Sequence, residues 1–525
     1  CPVKLFVRLP SFVAAFGLGA LLAGLDVTGA RAQTPAIPPA QPIPDWPEQL
    51  TFPPLRYEPP APADFRVPLR SGPIAYVVPD RDLPLVNVAV LVRVGEYLER
   101  TDQAGLASLT GYLLARGGTR SHTAEALEER LAFLAAVLNS GIGDTQGSVS
   151  LNLLSKDVDE GLTLLREVLA TPRFQADKIA LRKQQILQAM QQRNDDSGAI
   201  EQREAGFLAF GEGFWLNRYA TAASVERLTA ADLHAFHQQW FTPSNFIVAA
   251  SGDFERDAFV AKLEQLFADW PFSGGPPPPV PTNTTFAPPG VYLVDKDVNQ
   301  ARVSVLLPGI RRDDPDYFAC IVMNDILGGG GFTSRIMNRV RSEEGLAYAA
   351  GSGLPGGVYY PLTFTAAFQT KPRTVAYATS IVLDELRRMI VESVTEAELH
   401  TAKRGFIDRF PRTFASKAQV AGLFAQEEFT GRYARDPAFW QQFRARMEAV
   451  TQADVQRAAQ RVLQTNQLVI LTVGQKTNIL QGHPNHPVRL QDFAPQRFLE
   501  LPLRDPLTMQ PLGAPKPMTS DAASP

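Results

Sequence analysis

The chain has 525 residues, 45% of them apolar and 20% charged, with a formal net charge of −3. That length has room for two or more domains, each with a substantial core. The nearly balanced charge leaves no basic footprint and argues against nucleic acid as a partner.

Lys4 and Arg8 precede an apolar run from Ser11 to Leu25, and Ala30-Arg31-Ala32 fits a small-x-small cleavage site before Gln33. The run is short for a membrane span and no second one follows, so residues 1–32 read as a signal peptide. The expectation is export to the periplasm without a membrane anchor. Cys1 would leave with that segment and Cys320 would remain as the sole cysteine, which rules out an intramolecular disulfide. Residues 33–65 are Pro-rich and read as an extended leader.

Two blocks of similar size follow, 66–270 and 291–490, joined by a Pro/Gly linker at 271–290. Each opens with β-type runs: Ile74 to Val78 and Val86 to Val92 in the first, Val291 to Val294 and Arg302 to Leu307 in the second. Amphipathic helices fill the middles, for example Thr123 to Leu138 and Asp177 to Gln192. Each block closes alike. Thr229 and Thr451 are set to cap a helix, with Asp232 and Asp454 three positions on, before the apolar runs Asn245–Gly252 and Asn466–Gly474. This internal repeat predicts an α+β fold of two homologous lobes, each a mostly antiparallel sheet covered by helices. Residues 491–525 read as a Pro-rich, disordered tail.

Several segments stand in the order found in the M16 (pitrilysin, or insulinase-like) peptidases, which this chain resembles over about residues 66–476. They include Val77-Val78-Pro79-Asp80, Arg116-Gly117-Gly118-Thr119, Phe241-Thr242-Pro243-Ser244-Asn245, Leu327 to Arg335, and Arg341-Ser342-Glu343-Glu344-Gly345-Leu346-Ala347-Tyr348. In that family a helix bearing H-x-x-E-H and a distal Glu hold a catalytic zinc. Laid on this chain, those four positions fall on Ser108, Gly111, Tyr112 and Ala189. Ser and Tyr hydroxyls are poor substitutes for neutral imidazoles, so no metal cofactor is expected here.

The other histidines offer no replacement. His234 and His237 are three apart with no acid between them and read as exposed helix residues. His122 reads as a helix start and His400 as a helix-surface residue. His483 and His486 flank Pro484-Asn485 in a late loop. Gly328 to Gly331 lacks the Lys-Ser/Thr of a phosphate loop and reads as a turn between helices.

What the resemblance leaves intact is the Arg341/Tyr348 pair. A helix ends at Glu343-Glu344, Gly345 breaks it, and a strand starts at Leu346-Ala347-Tyr348, a turn able to aim both side chains into one cavity. In the family the Tyr hydroxyl donates to the scissile carbonyl as it becomes an oxyanion, and the Arg binds peptide carbonyls. The implied protein is a non-zinc-binding subunit that gives Arg341 and Tyr348 in trans to a zinc-bearing, H-x-x-E-H partner in a heterodimer acting on peptides. An inert scaffold subunit of a larger complex, or a peptidase with an unorthodox site, are the alternatives.

Overall fold

The computed structural model describes residues 57–518 except 495, together with Trp46, Gln49 and Leu50. The expected signal peptide and most of the leader lie outside the described residues. The described residues from Tyr57 onward form one unit. Among the described residues no helix is long and apolar enough to cross a membrane.

The first lobe runs β1 (Arg66–Pro68), β2 (Ile74–Pro79), β3 (Leu85–Val92), α1 (Leu106–Leu114), α2 (Ala124–Phe133), β4 (Val137–Ile142), β5 (Gly147–Leu154), α3 (Val158–Ala170), α4 (Ala176–Gln191), α5 (Ser197–Phe210), α6 (Ala222–Arg227), α7 (Ala230–Trp240), β6 (Phe246–Gly252) and α8 (Arg256–Phe267). The second opens with β7 (Gly290–Asp295), β8 (Ala301–Pro308), β9 (Ile310–Arg311), α9 (Tyr317–Asn324), α10 (Arg335–Met337), β10 (Ala347–Gly353), β11 (Gly356–Gly357) and β12 (Thr363–Thr370). It continues with α11 (Val375–Val391), α12 (Glu396–Arg409), α13 (Lys417–Phe429), α14 (Arg432–Arg435), α15 (Phe439–Glu448), α16 (Gln452–Val462), β13 (Val469–Gly474), α17 (Lys476–Gln481), β14 (Phe498–Leu501) and β15 (Lys516–Pro517).

The sequence repeat is a topological repeat. The first sheet has the order β1-β2-β6-β3-β5-β4 and the second β10-β12-β8-β13-β7-β14-β15. β2 lies parallel to β6 and β7 parallel to β13, and from those closing strands out to β4 and to β10 every pair is antiparallel. The closing helix starts as its sequence demands: Thr229 and Asp232 cap α7 reciprocally, and Thr451 and Asp454 do the same for α16.

One face of the first sheet packs on that lobe's own helices, through Val77, Val88, Leu109, Leu165 and Phe259. The opposite face is covered from the other lobe. Phe424, Ala421 and Phe410 meet Tyr76, Val78 and Ile247 there. The second sheet is treated reciprocally, with Ile200 and Leu208 of α5 lying on Tyr292, Leu306 and Leu471. Polar bonds pin both exchanges. Glu428 of α13 takes a forked bond from Arg66 at 2.9 and 3.2 Å and the Tyr76 hydroxyl at 2.8 Å, and Glu201 of α5 accepts from Ser304 Oγ at 2.7 Å. The two blocks are thus interlocked lobes, each covering one face of the other's sheet.

Two boundaries differ from expectation. The helix expected to run from Thr123 to Leu138 stops at Phe133, and Val137–Ile142 form edge strand β4; Leu138 belongs to a pleat, its apolar side chain buried on one face only. The expected tail is also ordered over its described part. β14 lies parallel to β7, and buried Arg504 reaches back to Glu204 of α5 at 3.2 Å. The linker is equally well held, its Pro281 carbonyl accepting from Trp215 Nε1 at 3.0 Å.

Candidate functional site

Helix α1 carries the positions where metal ligands would stand. Its N-terminus is fixed by Gly105, whose φ of +99° favours glycine, and by Glu99, whose carboxylate accepts from Ala107 N at 2.6 Å and Gly105 N at 3.2 Å. Burial pushes that carboxyl up to about 7 despite the two backbone bonds. Ser108 is exposed, and Tyr112 is half-buried.

Gly111 answers a tighter constraint than lost chemistry. A Cβ there would lie 2.7 Å from the Gly141 carbonyl carbon and closer still to Ile142 N. The Gly111 carbonyl also accepts from Ser140 Oγ at 2.6 Å. Helix α1 therefore presses directly on the β4 backbone, and no side chain fits where the family's catalytic base belongs.

The surroundings are also electrostatically wrong for a cation. The Tyr112 ring carries the guanidinium of Arg182 at 4.0 Å and that of Arg116 at 4.7 Å from its centroid. It is Arg182 of α4 that faces Tyr112. Ala189 is exposed two helical turns further on, about 10 Å along the axis. Among the described residues no three His, Cys, Asp or Glu side chains converge as a metal-holding group. The residues present do not fit the family's zinc.

His237 departs from its expected exposed position. It is buried on α7, Nε2–H donates to the Leu169 carbonyl at 2.8 Å, and the ring stacks on Phe241 at 4.8 Å. Burial pulls its pKa down to about 4, so it is a neutral core residue; His234 is half-buried beside it. His400 is exposed on α12, and His122 lies just before α2 with Nδ1 2.9 Å from Glu167. Cys320 is buried as expected, its thiol pushed up to about 12 by burial. Gly328 is explained by packing, since a Cβ would meet Ser352 Cβ at 2.8 Å.

Arg341 and Tyr348 do come together. From Asn338 to Glu343 the backbone is a π-helix, a turn type frequent at functional sites. Leu346 N closes on the Val340 carbonyl at 2.9 Å, and Gly345 takes a φ of +62°. Strand β10 then begins with a bulge against β12 between Ala347 and Ala350. The bulge leaves both Tyr348 and the adjacent Ala349 exposed, re-aiming the side chain away from the pleat. Tyr348 is 84% exposed. The Arg341 guanidinium sits 4.7 Å from the Tyr348 ring and 4.6 Å from the Phe332 ring, and among the described residues it has no carboxylate partner.

This segment is well anchored. Arg335 forks onto Glu398 at 2.7 and 2.9 Å, and these bonds, with those from Thr395, draw the Glu398 carboxyl down to about 2. The Tyr377 hydroxyl donates to Glu344 at 3.0 Å, and the Tyr377 ring stacks on His486 at 3.6 Å. The pair does not line the expected shared cavity among the principal concavities of the described residues, and both side chains stand on an open face. Phe332 was not singled out from the sequence, where it hides in a Gly-rich run.

Comparison with known proteins agrees with this architecture. Residues 77–205 match the model of the insulinase (peptidase family M16) domain, and residues 227–406 match that of the peptidase M16 inactive domain. An uncharacterized zinc protease of Mycobacterium bovis is 27% identical over 331 residues, covering 61% of this chain and 74% of its own. A protein of Helicobacter pylori named non-peptidase homolog YmxG is 26% identical over 338 residues, covering 63% and 76%. The crystal structure of a peptidase M16 inactive domain from Pseudomonas fluorescens superimposes with a TM-score of 0.70 at 25% identity, covering 78% of this chain and 97% of that one. With M16 family models matching both of its interlocked lobes, the chain belongs to the M16 peptidase family.

Proposed function

We propose that this protein is the non-zinc-binding subunit of a heteromeric M16 metallopeptidase. Arg341 and Tyr348 act in trans, beside a zinc-bearing subunit with an intact H-x-x-E-H, on a peptide held between the two chains. The observation that carries this reading is the Arg341–Tyr348 stack, its phenol exposed and its guanidinium half-buried. A guanidinium without a carboxylate partner and a phenol on a bulged edge strand are hydrogen-bond donors presented to something outside the chain. Donors preorganised at a developing oxyanion contribute on the order of 3–4 kcal/mol each. Phe332 holds the far face of Arg341 and so positions it. The Lys4/Arg8 segment and the apolar run after it support an exported, periplasmic setting.

The test is to purify the tagged chain from its native host, identify any co-purifying M16 subunit, and assay zinc content and peptide hydrolysis of each alone and together. Activity and zinc are expected only with the partner. Tyr348→Phe should lower kcat of the pair roughly 10- to 10³-fold with zinc content unchanged. Hydrolysis by the isolated chain with stoichiometric zinc, or an unaffected Tyr348→Phe pair, would sink the proposal.

A further inference from the structure

The emptied metal site is bordered by a concavity that the proposed function does not use. A cleft of about 480 Å³ lies between α1, α2, β4 and α4, within the usual range of ligand sites. Leu131, Ala132, Val137 and Leu181 give it apolar walls, and Val137 and Leu181 are left largely exposed. At its polar end stand Tyr112, Arg116 and Arg182.

The charges in the cleft are unbalanced. Lys178 is held by Glu125 at 2.7 Å, and Glu128 is the one acid among the lining residues. Arg116 and Arg182 both lie within 5 Å of one ring centre, and among the described residues neither has a carboxylate partner. Arg182 Nε is buried without a hydrogen-bond partner, and its Nη1 donates only to the neutral Gln185 at 3.2 Å. Two guanidiniums sharing one phenol repel each other, and an anion between them removes that repulsion.

We propose that this cleft binds the free C-terminal carboxylate of a peptide whose last residue is apolar. The carboxylate bridges Arg116 and Arg182, and the side chain enters the Leu131/Val137/Leu181 wall. A peptide suits the cleft better than a fatty acid. Strand β4 is the last in its sheet, so it offers ladder groups that peptide amides satisfy and a hydrocarbon chain strands. The proposal is independent of the roles given to Arg341 and Tyr348, and its test uses the isolated chain without any hydrolysis assay.

Fluorescence polarisation of the full chain with a dye-labelled Ala-Ala-Ala-Leu peptide would be compared with the same peptide amidated at its C-terminus. The free acid should bind at least tenfold more tightly. Arg182→Gln and Arg116→Gln should each weaken the free acid about 10- to 100-fold and leave the amide unchanged. Arg182→Lys should recover part of the loss, and thermal melts of all three variants should match the parent. Equal binding of acid and amide, indifference to both Gln variants, or displacement of the peptide by dodecanoate at lower concentration than by unlabelled peptide would each overturn the assignment.

Discussion

Gly111 shows how a catalytic position becomes closed to repair. With Gly141 and Ile142 pressed against its α-carbon, restoring a glutamate means displacing an edge strand as well as supplying two imidazoles. The combined change Ser108→His, Gly111→Glu, Tyr112→His should therefore leave the protein without stoichiometric zinc and cost about 3 kcal/mol or more through overpacking. Metal analysis and a thermal melt check this; tight zinc with an unchanged melt would mean the helix can retreat from β4. His237 gives a second test. Its folded pKa of about 4 lies below the ordinary 6.5, so the unfolded chain takes up the proton first as pH falls. Its contribution is intact well above pH 6.5 and shrinks between there and pH 4, by roughly 2–3 kcal/mol at pH 4.5. Denaturant titrations at pH 7 and 4.5 should show that loss, and His237→Phe should lose correspondingly less. At this scale the sequence was informative about what is missing: Ser108, Gly111 and Tyr112 are readable as non-ligands directly. It was silent on Arg182, because a lone arginine on a helix carries no sign of the ring it will meet.

At the level of elements, the strands and the α7 and α16 caps were legible because each is written in local chemistry, a Thr-x-x-Asp box or a β-branched run. The exchange of α5 and α13 was not. A helix covering its own sheet and one covering a sister's sheet show the same spacing of apolar residues, and only contacts far apart in the chain distinguish them. The Arg341–Tyr348 turn was half legible: Gly345 announced the break, but neither the π-helix nor the bulge has a local signature. Gly345→Ala forces an L-residue to a φ of +62° and should cost about 1–2 kcal/mol. It should also disturb Tyr348 without touching it. The expected reading is a lower melting temperature together with reduced kcat of the reconstituted pair; a normal melt and kcat would mean the turn relaxes freely.

For the whole molecule, reciprocal covering makes the lobes inseparable. Residues 57–270 alone would leave Tyr76, Val78 and Ile247 bare, and residues 290–518 alone would bare Tyr292, Leu306 and Leu471. Each half expressed singly should be insoluble or bind hydrophobic dye, and co-expression should recover a soluble 1:1 pair. Two well-behaved monomeric halves would contradict the interlocked core.

The same embrace bears on how far the first lobe can change. Here α5 comes from the first lobe and roofs β8 and β13 of the second sheet, so losing that lobe would bare the core that supports the strand bearing Tyr348. Mutation can rewrite exposed positions of that lobe such as Ser108, while its frame must stand.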